Sequence, residues 1–203
     1  MPSHRRSRAA TTVFLEHLEQ DATLGRLAEA LSPPFDTLLG EGPLGDTLRG
    51  RAVGHALHPL LVQVPLGTVL SASALDLVQG GRAADQSRFL MGVACLSALP
   101  AALSGWAEWI HADDRTRRVG VAHAALNVAG VVTSVASYLA RRRGWSPAGA
   151  LLTGLAGTVF GLGGLLGGHL SLVRKYASHD PASDDEGVLH GSYQDRRGQQ
   201  GST

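Results

Sequence analysis

The sequence predicts an all-α fold: a polytopic membrane protein built as a four-helix transmembrane up-down bundle with a short helical N-terminal cap. Three observations predict it. All 35 charged side chains lie outside four runs, 52–75, 89–107, 119–140 and 144–173, which together hold 95 of the 203 residues. Each run approaches or exceeds the ~18 apolar residues that suggest a bilayer-crossing helix. The segments between the runs are short, which makes consecutive helices antiparallel neighbours. The chain averages, 44% hydrophobic, 17% charged and mean hydropathy +0.04, conceal this because the charges are gathered between the runs and at the ends.

Taken in order, residues 1–11 are polar and basic and read as disordered. They are not followed by the apolar stretch of a secretory signal. Residues 12–50 read as short amphipathic helices, with Leu24, Leu27 and Leu31 on one face. Ser32-Pro33-Pro34 is expected to stop them, because proline lacks the N–H that continues a helix. Two placements suit this segment: a soluble cap packed on the bundle, or an element lying among the headgroups.

The membrane domain spans 51–176, with helices expected at 57–78, 89–110, 119–140 and 148–173. Pro65 should kink the first. Residues 177–203 carry no hydrophobic pattern and read as a disordered tail.

Inside lipid, helices associate through small residues and interhelical hydrogen bonds. The fourth helix carries Gly154, Gly157, Gly161, Gly164 and Gly168 at heptad spacing. The third carries His123, Asn127, Gly130, Ser134 and Ser137, and the second Ser97, Ala101, Ser104, Glu108 and His111. These small or polar stripes are expected to face inward. The glycine seam serves either packing within the bundle or a homodimer.

Four crossings put both termini and the loop at 111–118 on one side of the membrane. His55, His58, His111, His123 and His169 then fall at one boundary with Glu108, Trp106 and Trp109, while Asp76 stands alone at the other. His58, His123 and His169 come from three helices and are the candidate cofactor ligands, for haem b or a metal ion, because inward imidazoles at equal depth can ligate either. All five histidines are candidate metal ligands, with Glu108, Asp76 and Asn127 as accessory polar groups. With Glu108 nearby, the same histidines could relay protons. The competing reading is structural: the histidines bond backbone carbonyls, and the tryptophans form an interfacial belt. No catalytic residue is assigned, since neither a nucleophile elbow nor a nucleotide-binding fingerprint occurs. The net charge of +1 excludes a nucleic-acid partner.

Seven basic residues flank the histidine side (Arg49, Arg51, Arg115, Arg117, Arg118, Arg174, Lys175) against five on the other (Arg82, Arg88, Arg141, Arg142, Arg143). The bias orients both termini to the cytoplasm.

Several strings carry a family likeness. They are GHALHP at 54–59, Pro65-Leu66-Gly67 with Asp76, Arg117-Arg118-Val119-Gly120 with His123 and Asn127, and Leu166-Gly167-Gly168-His169-Leu170. Over 36–176 the chain resembles a bacterial family of predicted four-helix membrane proteins of unknown function that carry a GHxxHP motif. Some relatives are fused to a Rieske ferredoxin-like domain, so the resemblance implies membrane electron transfer. Cys95 is the sole cysteine, so any iron–sulfur or redox centre would belong to a separate partner protein. The family's Gly-x-x-Asp-Trp motif appears here as Gly105-Trp106-Ala107-Glu108-Trp109, with the carboxylate one methylene longer.

Overall fold

The computed structural model describes residues 10–173, and no strand occurs among them. Of the residues 1–11 predicted to be disordered, 1–9 lie outside the described residues, as does the tail 177–203, whereas Ala10 and Thr11 form the start of a helix, continuous with the amphipathic segment that follows. Three helical stretches are long and apolar enough to cross a membrane: His58–Trp109, Asp114–Arg142 and Ser146–Leu172.

The chain opens with α1 (Ala10–Gln20) and α2 (Ala22–Leu39). Asp21 caps α2: one carboxylate oxygen accepts from the N–H groups of Leu24 and Thr23, each at 2.8 Å. The Leu24 amide above all holds this carboxyl below its ordinary range. The helix does not stop at Ser32-Pro33-Pro34, contrary to the sequence expectation. It continues to Leu39 with both prolines inside. Tertiary contacts on either side override the local penalty: the Phe35 ring stacks on Trp106 at 4.0 Å, and Leu39 is buried. Both proline rings are exposed, so neither is forced into the packed face.

A short helix α3 (Pro43–Leu48) and a 3-10 turn (Arg51–Val53) lead to α4 (His58–Leu61) and α5 (Gln63–Gln79). Gly54, the first residue of GHALHP, adopts φ +69°, a left-handed conformation that a side chain would disfavour. The break between α4 and α5 falls just before Pro65, whose ring cannot donate to the carbonyl four residues back. Gly80 ends α5 with φ +57° and begins a tight turn (Gly80–Ala83) into α6 (Ala84–Trp109). Then follow α7 (Asp114–Arg142) and α8 (Ser146–Gly168), and a wider π-type turn over His169–Val173.

Neighbouring helices run in opposite directions. Asp76, near the end of α5, bonds Ser87, near the start of α6, while His58, ahead of α5, reaches Ala101 in the second half of α6. In the same way Arg141 at the end of α7 meets Thr153 early in α8, and His123 near the start of α7 meets Gly163 late in α8. α5 also packs on α8, which closes the ring of helices. Val69, Ala72, Met91, Ala94, Ala156 and Phe160 fill its centre. Gly130 makes room for the last of these: a Cβ there would lie 2.8 Å from the Phe160 ring.

The N-terminal helices lie against one end of this ring. Leu15 of α1 packs with Val119, Leu166 and Leu170, and Ala28 of α2 packs with Trp109 and Val121.

The polar stripes of α6 and α7 face inward along most of their length: Ala101, Ser104 and Glu108, and Gly130, Ser134 and Ser137, are buried and Ser97, His123 and Asn127 are half-buried, but His111, beyond the end of α6, is exposed. The glycine seam of α8 does not. Its buried face is Gly149, Thr153, Ala156, Phe160, Gly163 and Leu166. A Cβ at Gly154, Gly161, Gly164 or Gly168 would meet nothing within 4 Å, and one at Gly157 would make only ordinary contact with Ser73 and Val69. Two heptad stripes run along this helix, and the one that holds Thr153 and Phe160 packs inward because it alone offers side chains to bond and to fill the core.

Candidate functional site

The structure draws together two of the three candidate cofactor ligands. The rings of His58 and His123 lie 6.3 Å apart, centre to centre, and nearly perpendicular. Each is fixed by a backbone carbonyl of a different helix. His58 Nδ1 donates to Ala101 O at 2.8 Å, an oxygen that also accepts from Ser104 Oγ at 3.0 Å. His123 Nδ1 donates to Gly163 O at 2.8 Å. An acceptor at Nδ1 sets the tautomer and leaves Nε2 as the basic nitrogen.

The Nε2 of His123 is engaged as well, by Asn127 Nδ2 at 2.9 Å, and the same amide nitrogen donates to His123 O. Glycines make the rings fit. A Cβ at Gly105 would stand 2.8 Å from His58 Cε1, and one at Gly167 would stand 3.0 Å from His123 Cε1. Glu108 is buried next to this pair, where its carboxylate accepts from the backbone N–H of His58.

The remaining histidines go elsewhere. His169 Nε2 donates to Glu19 Oε1 at 3.0 Å, which ties the end of α8 to α1. His111 Nε2 accepts from Arg49 Nη1 at 3.0 Å. Burial, and after it the Arg49 guanidinium, push the His111 pKa below 6.5. His55 is exposed ahead of α4. The expected convergence of five imidazoles therefore resolves into one interior pair, two separate contacts and an exposed His55. A three-imidazole haem or metal centre does not fit these residues, since His169 is held by Glu19 and both nitrogens of His123 are bonded. Among the described residues no three of His, Cys, Asp and Glu gather as a metal-holding group.

The tryptophans at this end pack against the protein. Trp109 is buried, donates from Nε1 to Arg117 O at 2.9 Å, and meets Trp106 edge-on at 4.9 Å. Gly120 gives it room, because a Cβ there would collide with Trp109 Cδ1.

At the opposite end Asp76 is not alone. Its Oδ2 pairs with Arg141 Nη2 and its Oδ1 accepts from Ser87 Oγ at 2.8 Å. The two charged side chains are 7% and 2% exposed. Arg141 Nη2 also donates to Thr153 Oγ1 at 3.0 Å, and Ser137 Oγ lies 2.9 Å from the same hydroxyl. This network joins α5, α6, α7 and α8, and Gly149 leaves space for the Arg141 stem: a Cβ there would be 2.5 Å from Arg141 Cγ. The sequence reading missed it by treating Arg141 as one of three loop arginines. The signal was present: by crossing parity Asp76, Ser87, Arg141 and Thr153 all fall at the same membrane boundary.

Residues 54–179 match the model of a family described as a predicted membrane protein, DUF2231. No curated protein and no solved structure matches the chain.

Proposed function

The chain belongs to the DUF2231 family of predicted membrane proteins, and from that premise we propose that it is a multi-pass protein of the cell membrane with four crossings, acting as a non-enzymatic scaffold whose histidines are structural. The antiparallel pairing of α5 with α6 supports dividing the His58–Trp109 stretch into two crossings. Four crossings put both termini on one side, the cytoplasmic one by the bias of basic residues. α1 to α3 then form a cap over the histidine end.

The observation that carries the scaffold reading is the full bonding of His123. Both ring nitrogens are occupied within the protein, by Gly163 O and Asn127 Nδ2, and the ring sits on Gly167. Such a residue locks α7 to α8 by the interhelical bonding on which membrane bundles depend. The test is an absorption spectrum and metal analysis of detergent-purified protein, with thermal melting of His123→Ala. Colourless, metal-free protein together with a lowered Tm in the variant is the expected result. A Soret band or stoichiometric metal overturns the reading.

One observation favours a second function, an electron-transfer-associated subunit that serves a separate iron–sulfur or redox protein. His58 keeps Nε2 as a basic nitrogen, pre-oriented through Nδ1 on Ala101 O, and its backbone N–H donates to the Glu108 carboxylate. That pairing suits proton transfer more than packing. Were it correct, His58→Gln would abolish partner-dependent proton uptake while leaving the Tm unchanged.

A further inference from the structure

We propose that the groove between α5 and α8 binds a neutral, hydroxyl-headed membrane lipid of the diacylglycerol type, with Asp76 as the acceptor for its head. The groove has a volume of about 570 Å³ and is lined by Ser73, Asp76, Leu77, Pro147, Ala150, Leu151 and Gly154. That volume lies within the range of roughly 300–1,000 Å³ usual for small-molecule sites. Its mouth is flanked by Leu77 and Leu151, 87% and 78% exposed, on the flanks of apolar helices. An occupant therefore enters from the lipid and lays an apolar body against the walls.

The polar floor selects the head. Asp76 makes two bonds, one per carboxylate oxygen, to Ser87 Oγ and Arg141 Nη2. A carboxylate has about four acceptor positions, so two remain for a donor in the groove. Arg141 neutralises Asp76, and no other charged residue lines the space. A phosphate head would meet the carboxylate with no cation to spare, and an ammonium head would compete with the guanidinium. A hydroxyl meets neither obstacle.

The depth agrees with this choice. Asp76 lies three residues before the end of α5, and Pro147 is in the first turn of α8, two residues after the exposed Trp145. Tryptophan favours the headgroup level. The floor is thus within about one helical turn, roughly 5 Å, of the boundary where a diacylglycerol hydroxyl resides.

The test is photolabelling of the full-length protein in nanodiscs by diacylglycerol with a photoreactive acyl chain. Saturable labelling of peptides from α5 and α8 is expected, with unlabelled diacylglycerol competing and phosphatidylglycerol of the same chains at least about tenfold weaker. Gly154→Phe should abolish the labelling, because it fills the groove from a position where a Cβ meets nothing within 4 Å. Gly161→Phe, equally open on the same helix, should leave it intact. Labelling that does not saturate, that survives Gly154→Phe, or that phosphatidylglycerol competes away equally well overturns the proposal. Should Gly154→Phe fail to fold, the lipid competition on the unaltered protein decides alone.

Discussion

Arg49 Nη1 and His111 Nε2 lie 3.0 Å apart, joining the segment after α3 to the end of α6 across 62 positions of sequence. The same nitrogen donates to Leu39 O and Gly40 O, at 3.0 and 2.8 Å, so it also holds the end of α2. The contact requires an uncharged imidazole, since a protonated ring would face the guanidinium as a like charge.

Acid should therefore loosen this corner. The folded pKa of His111 is lowered by burial and by Arg49, with Arg51 acting in the same direction and Asp36 and Glu41 opposing. A lowered pKa means the contribution is present above the unfolded value of about 6.5 and is lost as pH falls through the folded one. Hydrogen exchange at residues 40–50, corrected for its intrinsic pH dependence, should rise as pH falls below about 6.5. In His111→Gln that rise should be absent; an equal rise in the variant would refute the mechanism.

The ion pair at the other end predicts a strongly non-additive cycle. Asp76→Ala strands a buried guanidinium and should cost about 3–5 kcal/mol of stability in detergent unfolding. Combining it with Arg141→Leu should recover much of that loss, because the double variant leaves no unpaired charge. Additive losses would mean that the pair is solvated.

Glycine substitutions should separate into two classes. Gly120→Ala drives a Cβ into Trp109 and Gly105→Ala drives one into His58, so each should lower stability by about 1–3 kcal/mol. Gly161→Ala and Gly164→Ala meet open space and should be neutral or gain up to about 1 kcal/mol from helix propensity. Thermal melting of the four variants is sufficient. A loss at Gly161 or Gly164 equal to that at Gly120 would show that the outward stripe is covered by another chain.

His169→Ala should release α1 from the end of α8. Losing a hydrogen bond to a carboxylate is worth roughly 1.5–3 kcal/mol, felt locally. Limited proteolysis should then cut within α1 faster than in the unaltered protein, with the helices from α5 onward still resistant. Unchanged cleavage would assign the docking of α1 to Leu15 with its apolar partners and to the Arg118 Nη1 bond to Glu19 O at 3.0 Å.

The helices were legible because exclusion of charge is a property of composition, visible without knowing any contact. The inward stripes of α6 and α7 were legible for a related reason: a buried polar side chain has to bond, and heptad spacing displays the candidates. The facing of α8 was not. Its two stripes both satisfy the spacing, and only the partners on α5 and α7 decide between Gly154 and Thr153. The joining of Asp76 to Arg141 was hidden by an adjacent Arg142 and Arg143, which made the triplet look like a loop. The histidine pair was half visible: parity set His58 and His123 at one depth, but the turning of His169 toward Glu19 depends on where α1 docks. The passage of α2 through Pro33-Pro34 rests in the same way on Phe35 meeting Trp106, a tertiary contact.

The bond between Glu19 and His169 spans 150 positions, and this fixes an order of events during synthesis. α1 is synthesised well before its own seat, since Leu15 packs against Leu166 and Leu170. Until those residues have been translated and inserted, the amphipathic leading segment has no finished place to dock. Docking of α1 therefore follows the insertion of α8 rather than preceding it.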